Sequence, residues 1–127
     1  MRSSTAPRAL AALLADLVCV LAFVVIGRTD HGTGTALAEI AWTAWPFAAA
    51  TVLGWAVTRA WTAPVRIWPT GLFVWAVTVV GGMAVRVFLG EGAPTSFVIV
   101  TSLFLAATML GWRGVALLVA GRRQRRA

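Results

Sequence analysis

Lysine and tyrosine are absent from this chain, so all eleven basic residues are arginine. Cysteine and histidine occur once each, and there are only four carboxylates. A single cysteine excludes an intrachain disulfide. Cys19 lies inside an apolar run, where it reads as a small hydrophobe. So few acid–base groups leave little material for catalysis. No Walker loop, HExxH, paired CxxC or Ser-His-Asp arrangement is present, and no enzyme is expected. Asp30, His31, Glu39 and Glu91 share no spacing that a metal site uses, so neither a metal nor another cofactor is expected.

What the chain has instead is apolar length. Sixty per cent of its 127 residues are apolar and 12% are charged, against ~45–50% and ~25% in an average soluble domain. A water-soluble domain of this size could not hide so much apolar surface, whereas lipid can serve as the other solvent. The reading is an all-α integral membrane four-helix bundle, one domain over 1–127. Its helices are expected at about 9–27, 36–59, 70–89 and 95–120, each near the ~20 residues that cross a bilayer core. Arg2 and Arg8 before the first run resemble a secretory signal. Asp16 interrupts that run, and the small-residue stretch Ala36-Leu-Ala38 lies well beyond it, so the first helix is read as uncleaved. Pro46 removes one backbone donor inside helix two and suggests a kink. Two prolines exclude regular helix over 62–69.

Charge sets the orientation. The net charge is +7, but the arginines sit at the ends of apolar segments, which argues for membrane topology and against nucleic acid. One side of the four crossings has Arg2, Arg8, Arg59, Arg66 and the tail residues Arg122, Arg123, Arg125 and Arg126. The other has Arg28, Asp30, His31, Glu39 and Glu91. Cytoplasmic loops carry the excess of basic residues, so both termini are placed in the cytoplasm. The arginine, alanine, glycine and valine usage fits a GC-rich bacterial genome, which makes the membrane the bacterial cytoplasmic one. The arginine tail is expected to touch lipid headgroups, anionic lipid included. Most of the tryptophans fall near the two interfaces, where anchoring is their ordinary role.

Phe47-Ala-Ala-Ala-Thr-Val-Leu-Gly-Trp55 returns as Phe104-Leu-Ala-Ala-Thr-Met-Leu-Gly-Trp112, identical at seven of nine positions. Both copies lie on helices running in the same direction. The chain is therefore read as two parallel-repeat helical hairpins, about 9–59 and 70–120.

Each helix has a small or polar stripe at helical spacing, and these stripes should turn inward. Within them are Asp16, Glu39, Arg86 and Arg113. An isolated charge at the bilayer centre costs at least ~2.5–3.5 kcal/mol on insertion scales, so such residues persist when paired, wet or near an end. Asp16 and Arg113 lie at equal depth from the inner end, and Glu39 and Arg86 are both near the outer end. Two ion pairs are expected, Asp16–Arg113 and Glu39–Arg86. Gly81-Gly82 at mid-depth is expected to be a hinge or a site of close packing.

Ala15-Asp-Leu17, Ile26-Gly-Arg-Thr-Asp-His31, Trp68-Pro69 and Leu110-Gly-Trp-Arg113 together resemble the bacterial membrane family catalogued as domain of unknown function 3054. The resemblance covers about residues 9–119. It implies an integral membrane protein and nothing about activity. Two functions are open at this level. One is a small transporter or channel, with a polar route between the hairpins past a protonatable Asp16. The other is a non-catalytic accessory or scaffold subunit of a larger membrane complex. The first implies a homo-oligomer, because four helices enclose little room for a solute, and the second implies a membrane-complex partner.

Overall fold

A segment that meets lipid must satisfy its backbone hydrogen bonds internally, and a helix does this within one stretch of chain. A computed structural model describes the backbone of residues 2–30 and 37–126 and the side chains of 6–28 and 37–125. All regular structure among the described residues is helical. The elements are α1 (Arg2–Asp30), α2 (Leu37–Thr58), α3 (Leu72–Phe88) and α4, which runs on through Thr95–Leu105, Ala106–Leu110 and Gly111–Arg126. Four helical stretches are long and apolar enough to cross a membrane: Ala6–Arg28, Leu37–Thr58, Ile67–Phe88 and Thr95–Arg125.

The ends differ from the expected ones where local chemistry permits. Helix α1 begins at Arg2 rather than near residue 9. Pro7, the sixth residue of the helix, removes the one donor that would meet the Ser3 carbonyl, and the helix continues through it. Helix α4 continues to Arg126 instead of stopping near residue 120. Arginine is a good helix former, and basic side chains suit a helix C-terminus. Helix α2 runs through buried Pro46 without a break. It ends where Arg59 adopts the left-handed region, φ 52°. A single 3₁₀ turn (Ala60–Thr62) and a wide turn (Ile67–Gly71) follow, with Trp68 extended inside the latter.

The chain leaves α3 by a sharper device. Gly90 takes φ 81°. Its N–H bonds the Val87 carbonyl at 3.1 Å, and the Glu91 N–H reaches back to the Arg86 carbonyl at 2.9 Å. This is a Schellman ending, and it needs a residue free of the Cβ clash at Gly90.

The main core is aromatic and lies at mid-depth. Val20, Phe23 and Val24 of α1 meet Phe47 of α2, Val79 and Met83 of α3, and Leu105 and Met109 of α4. The Phe23 ring stands 6.1 Å from Phe47, 5.9 Å from Phe97 and 5.6 Å from Phe104, centroid to centroid. A smaller cluster of Ala12, Trp55, Ala60 and Val74 lies toward the end that carries the arginine tail.

Helices α2 and α3 make the closest approach. A Cβ on Gly82 would lie 2.2 Å from Phe47 Cδ1, one on Gly81 would lie 2.9 Å from Ala50 Cβ, and one on Gly54 would lie 3.3 Å from Val77 Cβ. Gly81-Gly82 is therefore a close-packing contact within a continuous helix. The buried hydroxyls of Thr51 and Thr78 bond across the same interface at 3.0 Å. This closest contact joins the two halves proposed from sequence, so packing does not divide the chain at residues 59–70.

Overpacking a tight contact costs about 1–3 kcal/mol. Gly82→Ala should lower the thermal midpoint of the purified protein, because the Phe47 ring is held by Phe23 and Phe97 and cannot retreat. Gly111→Ala, with nothing within 4 Å of the new Cβ, should leave the midpoint unchanged in the same melting experiment.

Candidate functional site

Asp16 and Arg113 are both fully buried. They meet as a two-pronged pair, with Arg113 Nη1 donating to Asp16 Oδ1 at 2.8 Å and Nη2 donating to Oδ2 at 2.7 Å. This fork-on-fork geometry is the strong form of a charge-assisted bond. Two indoles complete the carboxylate's shell. Trp55 Nε1 donates to Oδ2 at 2.8 Å, and Trp112 Nε1 donates to Oδ1 at 2.9 Å. Each carboxylate oxygen thus accepts two N–H bonds. The guanidinium is equally occupied. Its Nε donates to the Pro64 carbonyl at 2.9 Å, and Nη1 also donates to the Met109 carbonyl at 3.0 Å. Its carbon stands 4.6 Å from the Trp112 ring centre.

The route that Arg113 takes to Asp16 depends on Gly71. A Cβ there would lie 2.8 Å from Arg113 Cδ. That atom lies midway along a side chain tied at its far end, so it cannot move aside. The clamp therefore joins α1, α2, α4 and the connection between α2 and α3 at one point. A wide turn over Ala106–Leu110 directly precedes Trp112 and Arg113 in α4. Such turns shift helix register by about a residue and gather at functional or strained places.

The two copies of the nine-residue motif meet α1 in parallel fashion. Phe47 and Phe104 both pack on Phe23, and Trp55 and Trp112 both bond Asp16. Phe23 and Asp16 are seven residues apart, two turns along one face of α1. The motif glycines differ, however. Gly54 lies against α3, while Gly111 has no neighbour within 4 Å.

The second expected pair is corrected. Glu39 pairs with Arg28, Nη2 to Oε2 at 2.8 Å, and not with Arg86. Arg28 ends α1 and Glu39 begins α2, so a short connection brings them together. Arg28 Nη1 also donates to Thr43 Oγ1, one turn further along α2, at 2.9 Å. Arg86 is held elsewhere. Its Nε donates to the Gly92 carbonyl at 3.1 Å, and its guanidinium lies 4.6 Å from the Phe97 ring centre.

These groups line a cavity of about 620 Å³ at the end opposite the arginine tail, with Trp42, Glu91 and Phe97 among its walls. Another cavity, also about 620 Å³, opens at the other end beside Arg8, Arg66, Pro64 and Trp112. Along α1 the first reaches down to Phe23 and the second up to Ala15. Eight residues of helix separate these, roughly 12 Å at ~1.5 Å per residue. The aromatic core and the Asp16 clamp occupy that interval. Arg122, Arg123 and Arg125 are exposed on the last turns of α4. The side chains of Arg126, Asp30 and His31 lie outside the described residues.

Sequence reasoning missed the two indole donors. Trp55 and Trp112 fell within the tryptophans read as interface anchors. The signal was available, because the repeated motif ends each time in a tryptophan at the depth of Asp16. The Pro64 carbonyl and the space at Gly71 had no comparable signal, since both depend on how the 59–71 connection folds back.

A family model described as a protein of unknown function (DUF3054) matches residues 13–116. The chain belongs to this family. The matched region contains every member of the clamp, from Asp16 to Arg113. No match appears among curated proteins or among solved structures.

Removing one partner of a buried ion pair strands the other and costs about 3–5 kcal/mol. Asp16→Ala and Arg113→Ala should each lower stability by that order, and the double variant should cost much less than their sum. Chemical denaturation of the purified protein in detergent measures this cycle, and strict additivity would show that the pair carries no coupling.

Proposed function

We propose that this is a non-catalytic unit of the bacterial cytoplasmic membrane. Its four spans would form a bundle with both termini in the cytoplasm, and it would serve as a scaffold or accessory subunit of a larger membrane assembly. The observation that carries this reading is the saturation of Asp16. Each oxygen accepts two N–H donors. A proton arriving on either oxygen would face a donor and not an acceptor, so a relay through this carboxylate would have to dismantle the clamp first. The group is built to hold α1, α2 and α4 in register.

The distribution of arginine supports the orientation. Arg8 and Arg66 border one cavity, and Arg28, Glu39, Arg86 and Glu91 border the other. The basic end is then cytoplasmic, and the arginine tail rests on anionic headgroups. Span Thr95–Arg125 is the least covered, with 17% of its apolar window buried against 28–39% in the other three. It therefore offers the most face to a second copy or another membrane protein. The shared use of Phe23 and Asp16 by the two motif copies supports an origin by duplication of a hairpin.

A small transporter is the second reading, favoured by the two cavities that approach each other from opposite ends. The two readings separate in one set of experiments. In proteoliposomes with an imposed pH gradient, the scaffold reading expects no flux from the wild-type protein. It expects Asp16→Asn to reduce stability and to leave no transport to lose. Crosslinking in native membranes should capture a defined membrane partner or a second copy along α4. Proton-coupled flux abolished by Asp16→Asn in a protein that still folds would reverse the assignment.

A further inference from the structure

Two opposite charges are held apart at the outer cavity, and neither has an ionic partner among the described residues. Arg28 and Glu39 neutralise each other. Arg86 does not take part in that pair. Its Nε is used on the Gly92 carbonyl and its face on Phe97, while its two Nη groups have no hydrogen-bond partner among the described residues. Glu91 accepts one bond, from Trp42 Nε1 to Oε1 at 2.7 Å. That donor is neutral, and the exposed Glu91 carboxylate has no cation against it among the described residues. Arg86 and Glu91 do not pair with each other, although the Schellman turn sets the Glu91 N–H on the Arg86 carbonyl. Each is fixed by its own neighbours: Arg86 by Phe97 and Gly92, Glu91 by Trp42 and the Gly90 turn. The cavity between them has about 620 Å³, within the ~300–1,000 Å³ range of small-molecule sites. Its other walls include Phe23, Val24 and Val100, an apolar lining with a few fixed polar groups, which is the usual make-up of a binding pocket.

We propose that this cavity binds a zwitterion, an ammonium carried a few bonds from a phosphate or carboxylate. The oxyanion sits on the open Nη fork of Arg86 and the ammonium on Glu91. Guanidinium forks match phosphate and carboxylate oxygens in a planar, two-pronged manner. A carboxylate facing an ammonium completes the charge balance, which a simple anion would leave open. The shared chemistry has two sources. One is the headgroup of an ethanolamine phospholipid, its chains running down the apolar side past Phe97 and Val100. The other is a soluble zwitterion entering from water. Only the lipid source depends on the membrane placement proposed above.

Native mass spectrometry of the purified, delipidated protein tests this with defined probes. These are ethanolamine, choline and glycerol phospholipids in turn, then soluble phosphoethanolamine, inorganic phosphate and ethanolamine. The expected result is preferential retention of the ethanolamine lipid, or binding of soluble phosphoethanolamine, over phosphate or ethanolamine alone. Retention of the lipid without the soluble compound assigns the lipid source, and the reverse assigns the soluble one. Arg86→Gln and Glu91→Gln should each weaken binding about tenfold or more, the effect of losing a hydrogen bond to a charged group. Glu91→Gln should keep the wild-type thermal midpoint, and Arg86→Gln, which also gives up the Gly92 bond and the Phe97 ring contact, should lower it slightly. Preference for the glycerol phospholipid, strengthened by Glu91→Gln, would overturn the zwitterion in favour of a plain anion site. No binding of any probe would overturn the site altogether. The headgroup series uses wild-type protein alone, so it decides even if a variant fails to fold. It is also independent of any flux or partner measurement.

Discussion

A carboxylate with no exposure to solvent can stay charged only if the protein replaces the water it has lost, and here it does so with four N–H donors. Arg113 supplies charge and two of the bonds, and Trp55 and Trp112 supply the others. The donors come from α2 and α4, the acceptor comes from α1, and the guanidinium is steadied by a carbonyl of the connection between α2 and α3. Rotation or sliding of any of these helices would strand a buried charge. The usual objection to a buried pair is that apolar residues would be as stable. Specificity is the argument for retaining it. Helices in lipid gain little from simple hydrophobic contact with one another, so for spans of this apolarity placed in a bilayer, register would come from packing and polar bonds.

Packing does the complementary work in the rest of the structure. Gly54, Gly81 and Gly82 let α2 and α3 approach until a methyl group would collide, and Thr51 and Thr78 bond across the seam. No glycine of α4 itself makes such a contact, although Gly71 of the preceding connection lies against Arg113 and Leu110. A Cβ on Gly111 would meet nothing, and one on Gly114 would only reach Ile67 Cδ1 at 4.0 Å. Its attachment rests on the aromatic layer at Phe97 and Phe104, on the bond from Trp75 Nε1 to the Ser102 carbonyl at 2.9 Å, and on the clamp. The molecule is thus a tight α2–α3 pair, with α1 laid on it and α4 tied at a few points. The ties of α4 are fewest beyond Arg113, where nearly every residue of 117–125 is exposed.

Periodicity and composition were enough to read four apolar helices and to turn the small and polar stripes inward. Counting depth from the helix ends placed Asp16 level with Arg113, and the two side chains meet. The same count placed Glu39 level with Arg86, and those do not meet. The difference is physical. At mid-depth a charge has few alternatives, so depth nearly decides the partner. Near an end, chain connectivity, a backbone carbonyl and an aromatic face all compete for an arginine. Arg28 reaches Glu39 through a short connection, and Arg86 settles on Gly92 and Phe97. The tryptophans show a second limit. Their interfacial preference is an average over many sites, and it conceals the four described cases, Trp42, Trp55, Trp75 and Trp112, in which an indole N–H makes a specific bond.

The contrast between the two ends follows from how many donors each charge can find. At Asp16, motif copies on two helices deliver a matching tryptophan each, and α4 adds an arginine, so every acceptor position is filled. At the other end Arg28 and Glu39 are engaged with each other, and among the described residues Glu91 and Arg86 have no ionic partner. A neutral indole and a ring face hold them in place without cancelling their charge. Glu91 is exposed and Arg86 half-buried, so water serves both charges in isolation, and a molecule carrying the opposite pair would replace that water. The saturated end resists rearrangement because every bond in it would have to be replaced. The other end has bonds still to make, and binding there would leave the clamp undisturbed.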